Sequence, residues 1–128
     1  MTADRKPLIY VAGPITGDPF GCVRQSIEAF DWLRSIGAVP FCPQWTVLPE
    51  MVSTRPYEEW MAYDLDVLAR CDALLRMPGE SPGADREVAH ALKAVGIPAV
   101  YWCTQGRLAL ADAVARWDST TRLTLVTL

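Results

Sequence analysis

The chain has 128 residues, enough for one domain spanning 1–128 and one core. Apolar residues make up 51% and charged residues 21%, the balance of a soluble globular fold, and a net charge of −3 leaves no basic face for polymeric nucleic acid. Four scattered cysteines without a CxxC pair argue against a disulfide or zinc framework, and a single histidine, His90, excludes a His-rich metal site.

At the start of the chain, Asp4 and Arg5 interrupt any apolar run, so neither a leader nor a membrane span is expected and the thiols belong to a reduced, cytoplasmic setting. Leu8 to Ala12 is a continuous apolar run ending at Gly13-Pro14, which predicts a buried strand. From Val23 to Ile36 apolar residues recur every three or four positions, predicting a helix that Gly37 ends. Ala38 to Phe41 reads as a second strand. Cys42 to Pro56 is proline-rich without a period and reads as a long loop, a length that compact domains keep mainly for function. Helical spacing returns from Tyr57 to Arg70, and Asp72 to Met77 is a third strand broken by Pro78-Gly79. Gly83 to Val95 is a helix closed by Gly96, Ile97 to Trp102 a fourth strand, and Arg107 to Trp117 a last helix. Arg122 to Thr127 alternates as a final strand or an extended tail. Strands alternating with helices predict an α/β fold, a mostly parallel sheet with helices on both faces. Ligands of such sheets bind beyond the carboxyl ends of the strands, here the loops Gly13 to Cys22, Cys42 to Pro56 and Met77 to Glu87.

In the third loop, Ser81 and Gly83 stand where a helix begins, and free first-turn amides with a positive dipole end favour an anion. Glu87 follows about one turn into that helix. The plainer reading makes Ser81 a helix cap, Pro82 a first-turn proline, and Asp85 and Glu87 dipole-complementing charges. In the first loop, Gly13, Ile15 and Gly17 follow the first strand directly, yet the stretch is neither a GxGxxG nor a Walker motif, and an ordinary turn explains it equally. Tyr10, inside the apolar strand, reads as core. Asp64 sits beside an apolar helical stripe, where it is either a solvated charge or a pocket-edge acid able to protonate a leaving group. Trp45 and Trp60 flank the long loop, and their flat faces suit a nucleobase as well as packing.

In order, Ile9-Tyr-Val-Ala-Gly-Pro-Ile15, Tyr63-Asp-Leu65, Cys71-Asp-Ala73, Ser81-Pro-Gly-Ala-Asp-Arg-Glu-Val-Ala89 and Gly96-Ile-Pro98 make the chain resemble the nucleoside 2-deoxyribosyltransferase superfamily. It is most similar to short phage and bacterial members of unknown function and to the deoxynucleoside 5′-monophosphate N-glycosidases. The resemblance implies a flavodoxin-like parallel sheet of about five strands. It implies Glu87 as the nucleophile on C1′, Asp64 as the acid assisting the departing base, and Tyr10 as the hydroxyl that holds Glu87. Gly13, Ile15 and Gly17 would lie along the sugar phosphate, with Ser81 and Gly83 beside them and Trp45 toward the base. Six residues ahead of the nucleophile, the transferases carry an aspartate and the monophosphate N-glycosidases a serine, and this chain has Ser81. Asp85 and Arg86 depart from the small or apolar residues common there, and Arg86 either helps to bind phosphate or faces solvent. Family members complete their sites from neighbouring subunits, so a homodimer or larger homo-oligomer is implied, although Thr104-Gln105-Gly106-Arg107 offers no residue that transfers.

The resulting expectation is an enzyme without cofactor or metal that hydrolyses the N-glycosidic bond of a nucleoside 5′-monophosphate to free base and sugar phosphate. The alternatives are a base-exchanging deoxyribosyltransferase, a nucleotide-binding module without turnover, and a flavodoxin-like interaction domain.

Overall fold

Four short runs pair side by side in parallel: β1 (Leu8–Ala12), β2 (Val39–Phe41), β3 (Ala73–Arg76) and β4 (Ala99–Tyr101), in the order β2-β1-β3-β4. The computed structural model describes residues 5–15, 17–120 and 122–125. The strand order is that of a flavodoxin-like doubly wound sheet. Among the described residues it has four strands, not about five. Residues 122–125 form no strand, and Val126 and Thr127, the end of the expected one, lie outside the described residues. That tail is held by side chains instead of a ladder: Leu123 is buried in the core, and Arg116 donates to the Thr124 carbonyl at 3.1 Å.

Alternation along each strand sorts its residues onto two faces. Ile9 and Val11 of β1, with Ala73 and Leu75 of β3, pack against α1 (Pro19–Ser35) and α5 (Thr104–Ala115) through Leu33 and Leu110. Tyr10 and Ala12, with Leu74, face α3 (Tyr57–Leu68) and α4 (Pro82–His90) through Leu68 and Ala84. Each fully buried leucine contributes about 2 kcal/mol relative to exposure.

The helices begin earlier than their apolar stripes. In α1, Asp18 accepts the Gly21 amide at 3.0 Å and Pro19 fills the first position, a cap and proline pair lying outside the stripe that starts at Val23. Gly37, at φ +95°, turns the chain out of it, a conformation open mainly to glycine. The helix α4 continues through a wider π-type turn over Ala91–Val95 and stops at Gly96, φ +79°. The stretch 42–56 is not the structureless loop its sequence predicts. It holds a 3-10 turn, Pro43–Thr46, and a helix α2, Val47–Val52. Leu48, Met51 and Val52 on α2 are exposed and none of its residues is buried, so no apolar stripe marked it. Among the described residues no helix is long and apolar enough to cross a membrane.

Candidate active site

A cleft of about 660 Å³ opens beyond the carboxyl ends of β1 and β3. Its lining includes Gly13, Ile15, Ser81 and Gly83, the cluster of Glu50, Arg55 and Trp60, and the two carboxyls Asp64 and Glu87. The volume suits a nucleotide-sized ligand.

Two strands and two helices bring the charged residues together. Tyr10 pairs with Leu74 and Ala12 with Arg76 across β1 and β3, which puts Tyr10 and Arg76 on the face covered by α4. From α4, Glu87 reaches Tyr10, whose hydroxyl donates a hydrogen bond to Glu87 Oε2. From α3, Asp64 borders the same cleft, and its Oδ1 has no hydrogen-bond partner among the described residues. Arg76 fans out beyond the end of β3. It donates to the carbonyls of Met77 and Gly79, the latter at 2.9 Å, and to Asp85 Oδ1 at 3.1 Å. Those bonds tie the loop after β3 to the first turn of α4. Glu87, Asp64 and Arg76 are only 5%, 7% and 5% exposed, and charges that deep require partners or a shared proton.

The electrostatics follow from that burial. Loss of water pushes the Asp64 carboxyl up to about 7. It also pushes Glu87 from an ordinary 4.5 to about 8, a shift opposed by the Tyr10 hydrogen bond, increased by the Asp64 charge and opposed by the Arg76 charge. Burial first, and then Glu87 and Asp64, raise the Tyr10 hydroxyl far above its ordinary value, so it remains a proton donor. Two carboxyls so placed share a proton near neutrality and titrate as a pair. Tyr10 and Arg76 both favour the anion at Glu87, yet burial outweighs them, so Glu87, at about 8, holds the shared proton more tightly than Asp64, at about 7.

A carboxyl that holds its proton more tightly when folded loses stability as pH rises through the interval between its unfolded and folded values. For Glu87 that interval runs from 4.5 to about 8. Glu87→Gln keeps the shape and removes the charge, so it should be more stable than the wild type by roughly 2–4 kcal/mol near pH 8, and by less than about 1 kcal/mol near pH 5. Urea unfolding of both proteins at the two pH values measures this, and an equal gain at both would assign the effect to packing.

Of the residues singled out in the sequence, Glu87, Asp64, Gly13, Ile15, Ser81 and Gly83 meet at the cleft, and Tyr10 touches it through Glu87. A side chain at Gly13 would meet Gln44 Nε2 at 2.8 Å, and one at Gly83 the Tyr57 hydroxyl at 3.0 Å, so both glycines let the backbone pack closely against those groups. Ser81 is the cap of α4: its Oγ accepts the Ala84 amide at 3.1 Å, with Pro82 next. Two expected residues stand outside the lining. Gly17 takes φ +93° in a turn with open space about it, and Thr16 beside it lies outside the described residues. Trp45 donates to Ser26 Oγ at 2.9 Å and packs on Phe30 at 5.3 Å, so its ring serves α1 rather than the cleft. Arg86 pairs at 3.0 Å with Glu58 on the exposed flank, and Asp85 pairs with Arg76. The sequence reading missed Glu50, Arg55 and Arg76. Only Arg76 left a signal, a charge inside an apolar strand.

A sequence model of the family described as "Domain of unknown function (DUF4406)" matches residues 7–101. No curated protein matches the chain. Among solved structures, the chain is similar to the 2-deoxyribosyltransferase of Bacillus psychrosaccharolyticus, with a TM-score of 0.58 at 24% identity over 73% of this chain and 70% of that one. It is also similar to the 2-deoxyribosyltransferase of Leishmania mexicana, with a TM-score of 0.58 at 19% identity, over 74% of this chain and 63% of that one. Likeness at that identity establishes a common fold.

Proposed function

The chain belongs to the DUF4406 family, a domain of unknown function, and from that premise we propose that it cleaves the N-glycosidic bond of a nucleoside 5′-monophosphate, releasing free base and sugar phosphate. One observation carries the proposal: a buried carboxylate, Glu87, is held by a tyrosine hydroxyl and shares its cleft with a second carboxyl, Asp64. Tyr10 occupies Glu87 Oε2, which leaves Oε1 to attack C1′. As that bond forms, the C1′–N bond breaks, its electron pair stays on the base nitrogen, and Asp64 gives that nitrogen its proton. Arg76 and Tyr10 favour the attacking anion. Asp64, now ionised, takes a proton from water, whose oxygen opens the glycosyl ester and restores Glu87, the exchange of roles in retaining glycosidases.

The phosphate belongs at the start of α4. Ser81 Oγ already accepts an amide hydrogen bond, so its own O–H is the part left to donate, and the helix dipole favours a dianion there. A nucleoside monophosphate should therefore be cleaved faster than its nucleoside. Ser81→Ala should lower kcat/KM for the nucleotide by the value of one charge-assisted hydrogen bond, roughly 1.5–3 kcal/mol. Ser81→Asp caps a helix as well as serine does, but its charge should reverse the preference. The measurement is kcat/KM for a matched nucleotide and nucleoside in all three proteins. A wild type that prefers the nucleoside, or an unchanged ratio in Ser81→Asp, rules out the monophosphate. The fold shared with two 2-deoxyribosyltransferases supports base exchange as the second reading, and added free base gives exchange products only in that case.

A further inference from the structure

The cleft lining also holds a charged cluster that bond breaking leaves unused. Trp60 precedes Asp64 by one turn of α3, so the two share a helix face, and a base within reach of Asp64 lies beside the Trp60 ring. Glu50, from α2, is fixed against that ring. Its Oε2 accepts from Trp60 Nε1 at 2.6 Å and from the Arg55 amide at 3.2 Å, while Oε1 has only a 3.4 Å contact with the same amide. The Arg55 guanidinium lies over the Trp60 ring, 5.1 Å from its centroid, and donates to the Ser53 carbonyl at 3.2 Å. Its approach to Glu59 is a loose 3.8 Å. A carboxylate only accepts hydrogen bonds and a guanidinium only donates them, so the cluster presents an acceptor next to donors. A phosphate is repelled by Glu50 and has no proton to give it.

Resting on the glycosidic reading above, the geometry points to Glu50 and Arg55 as the pair that selects the base, and to a base with an exocyclic amino group beside a ring-nitrogen acceptor, as in adenine and cytosine. The amino group donates to Glu50 Oε1, and Arg55 donates to the neighbouring ring nitrogen. Guanine's two adjacent N–H donors ask for both carboxylate oxygens, and Trp60 holds one of them. Keto bases bring a carbonyl oxygen where the amino donor is needed.

The test compares base release from the deoxynucleoside 5′-monophosphates of adenine, of purine without its 6-amino group, and of hypoxanthine, in wild type and Glu50→Gln. Glutamine keeps an acceptor for Trp60 but turns N–H donors toward the cleft. The adenine-to-purine ratio of kcat/KM should fall about tenfold to a hundredfold in the variant, as for loss of one hydrogen bond to a charged group. The adenine-to-hypoxanthine ratio should fall as well, because the glutamine N–H can donate to the 6-keto oxygen, although the N1–H of hypoxanthine still faces Arg55. Comparing ratios between proteins cancels the intrinsic leaving ability of each base. An unchanged ratio in two active proteins overturns the assignment. Calorimetric titration of the same nucleotides onto the wild type reads base preference without turnover, and it decides the matter if the variant fails to fold. Tighter binding of the adenine nucleotide than of the purine nucleotide, with no base released, would sink the glycosidase reading and keep the base assignment. Equal affinities would sink the base assignment whatever the turnover.

Discussion

Glu87→Gln and Glu87→Ala should abolish the proposed base release while leaving a folded protein. Glutamine cannot supply an attacking anion, and alanine removes the attacking atom. Losing the nucleophile of a covalent mechanism removes several orders of magnitude in kcat, on the order of a million-fold where whole catalytic sets have been dissected. The neighbours explain why no other group substitutes. Tyr10 is held far above its ordinary ionisation range by burial, and Asp64 must keep its proton for the base. Single-turnover assays on wild type and both variants, with unfolding curves to verify the fold, measure the loss. More than a tenth of wild-type activity in either variant would show that another atom attacks C1′.

Asp64→Asn should slow release by about a hundredfold to ten-thousandfold for bases that leave poorly, the usual worth of general acid assistance. Activated leaving groups, which depart without a proton, should lose far less. The pH profile carries a second signature. On the proposed mechanism turnover runs through the singly protonated pair in its form with Glu87 ionised and Asp64 protonated, the minor of the two forms because burial moves Glu87 to about 8 and Asp64 to about 7. Below that range both carboxyls are protonated and attack stops; above it both are ionised and base protonation stops. The wild type should therefore show a bell around neutral pH, and Asp64→Asn should lose the alkaline limb while keeping the acid one. An equal loss across good and poor leaving groups, with the alkaline limb still present, would make Asp64 a positioning residue.

By itself the sequence determined the layered α/β fold and its punctuation. Continuous apolar runs such as Leu8 to Ala12 require cover on both faces, which strands gain from helices above and below a parallel sheet. Gly37 and Gly96 supplied the positive φ angles that end their helices, and Ser81 with Pro82 marked the start of α4 through its own cap chemistry. These signals are local, so one chain carries them whole. Tyr10, Asp64 and Glu87 were named by resemblance to a superfamily, not by periodicity, which made Tyr10 core and left Asp64 undecided. What lies opposite a residue was settled only by the tertiary structure. The Tyr10–Glu87 bond joins positions 77 apart in the chain, and it exists because the register of β1 on β3 and the seating of α4 aim both side chains at one point. The same packing turned Trp45 away toward Ser26 and Phe30, and gave the buried Arg76 its partners past the end of β3. It also brought Glu50, from a helix, α2, that buries none of its residues, against Trp60 of α3 and the Arg55 amide between the two helices. A repeating pattern records which face of an element is covered. It does not record what covers it, and that pairing decides which side chains meet.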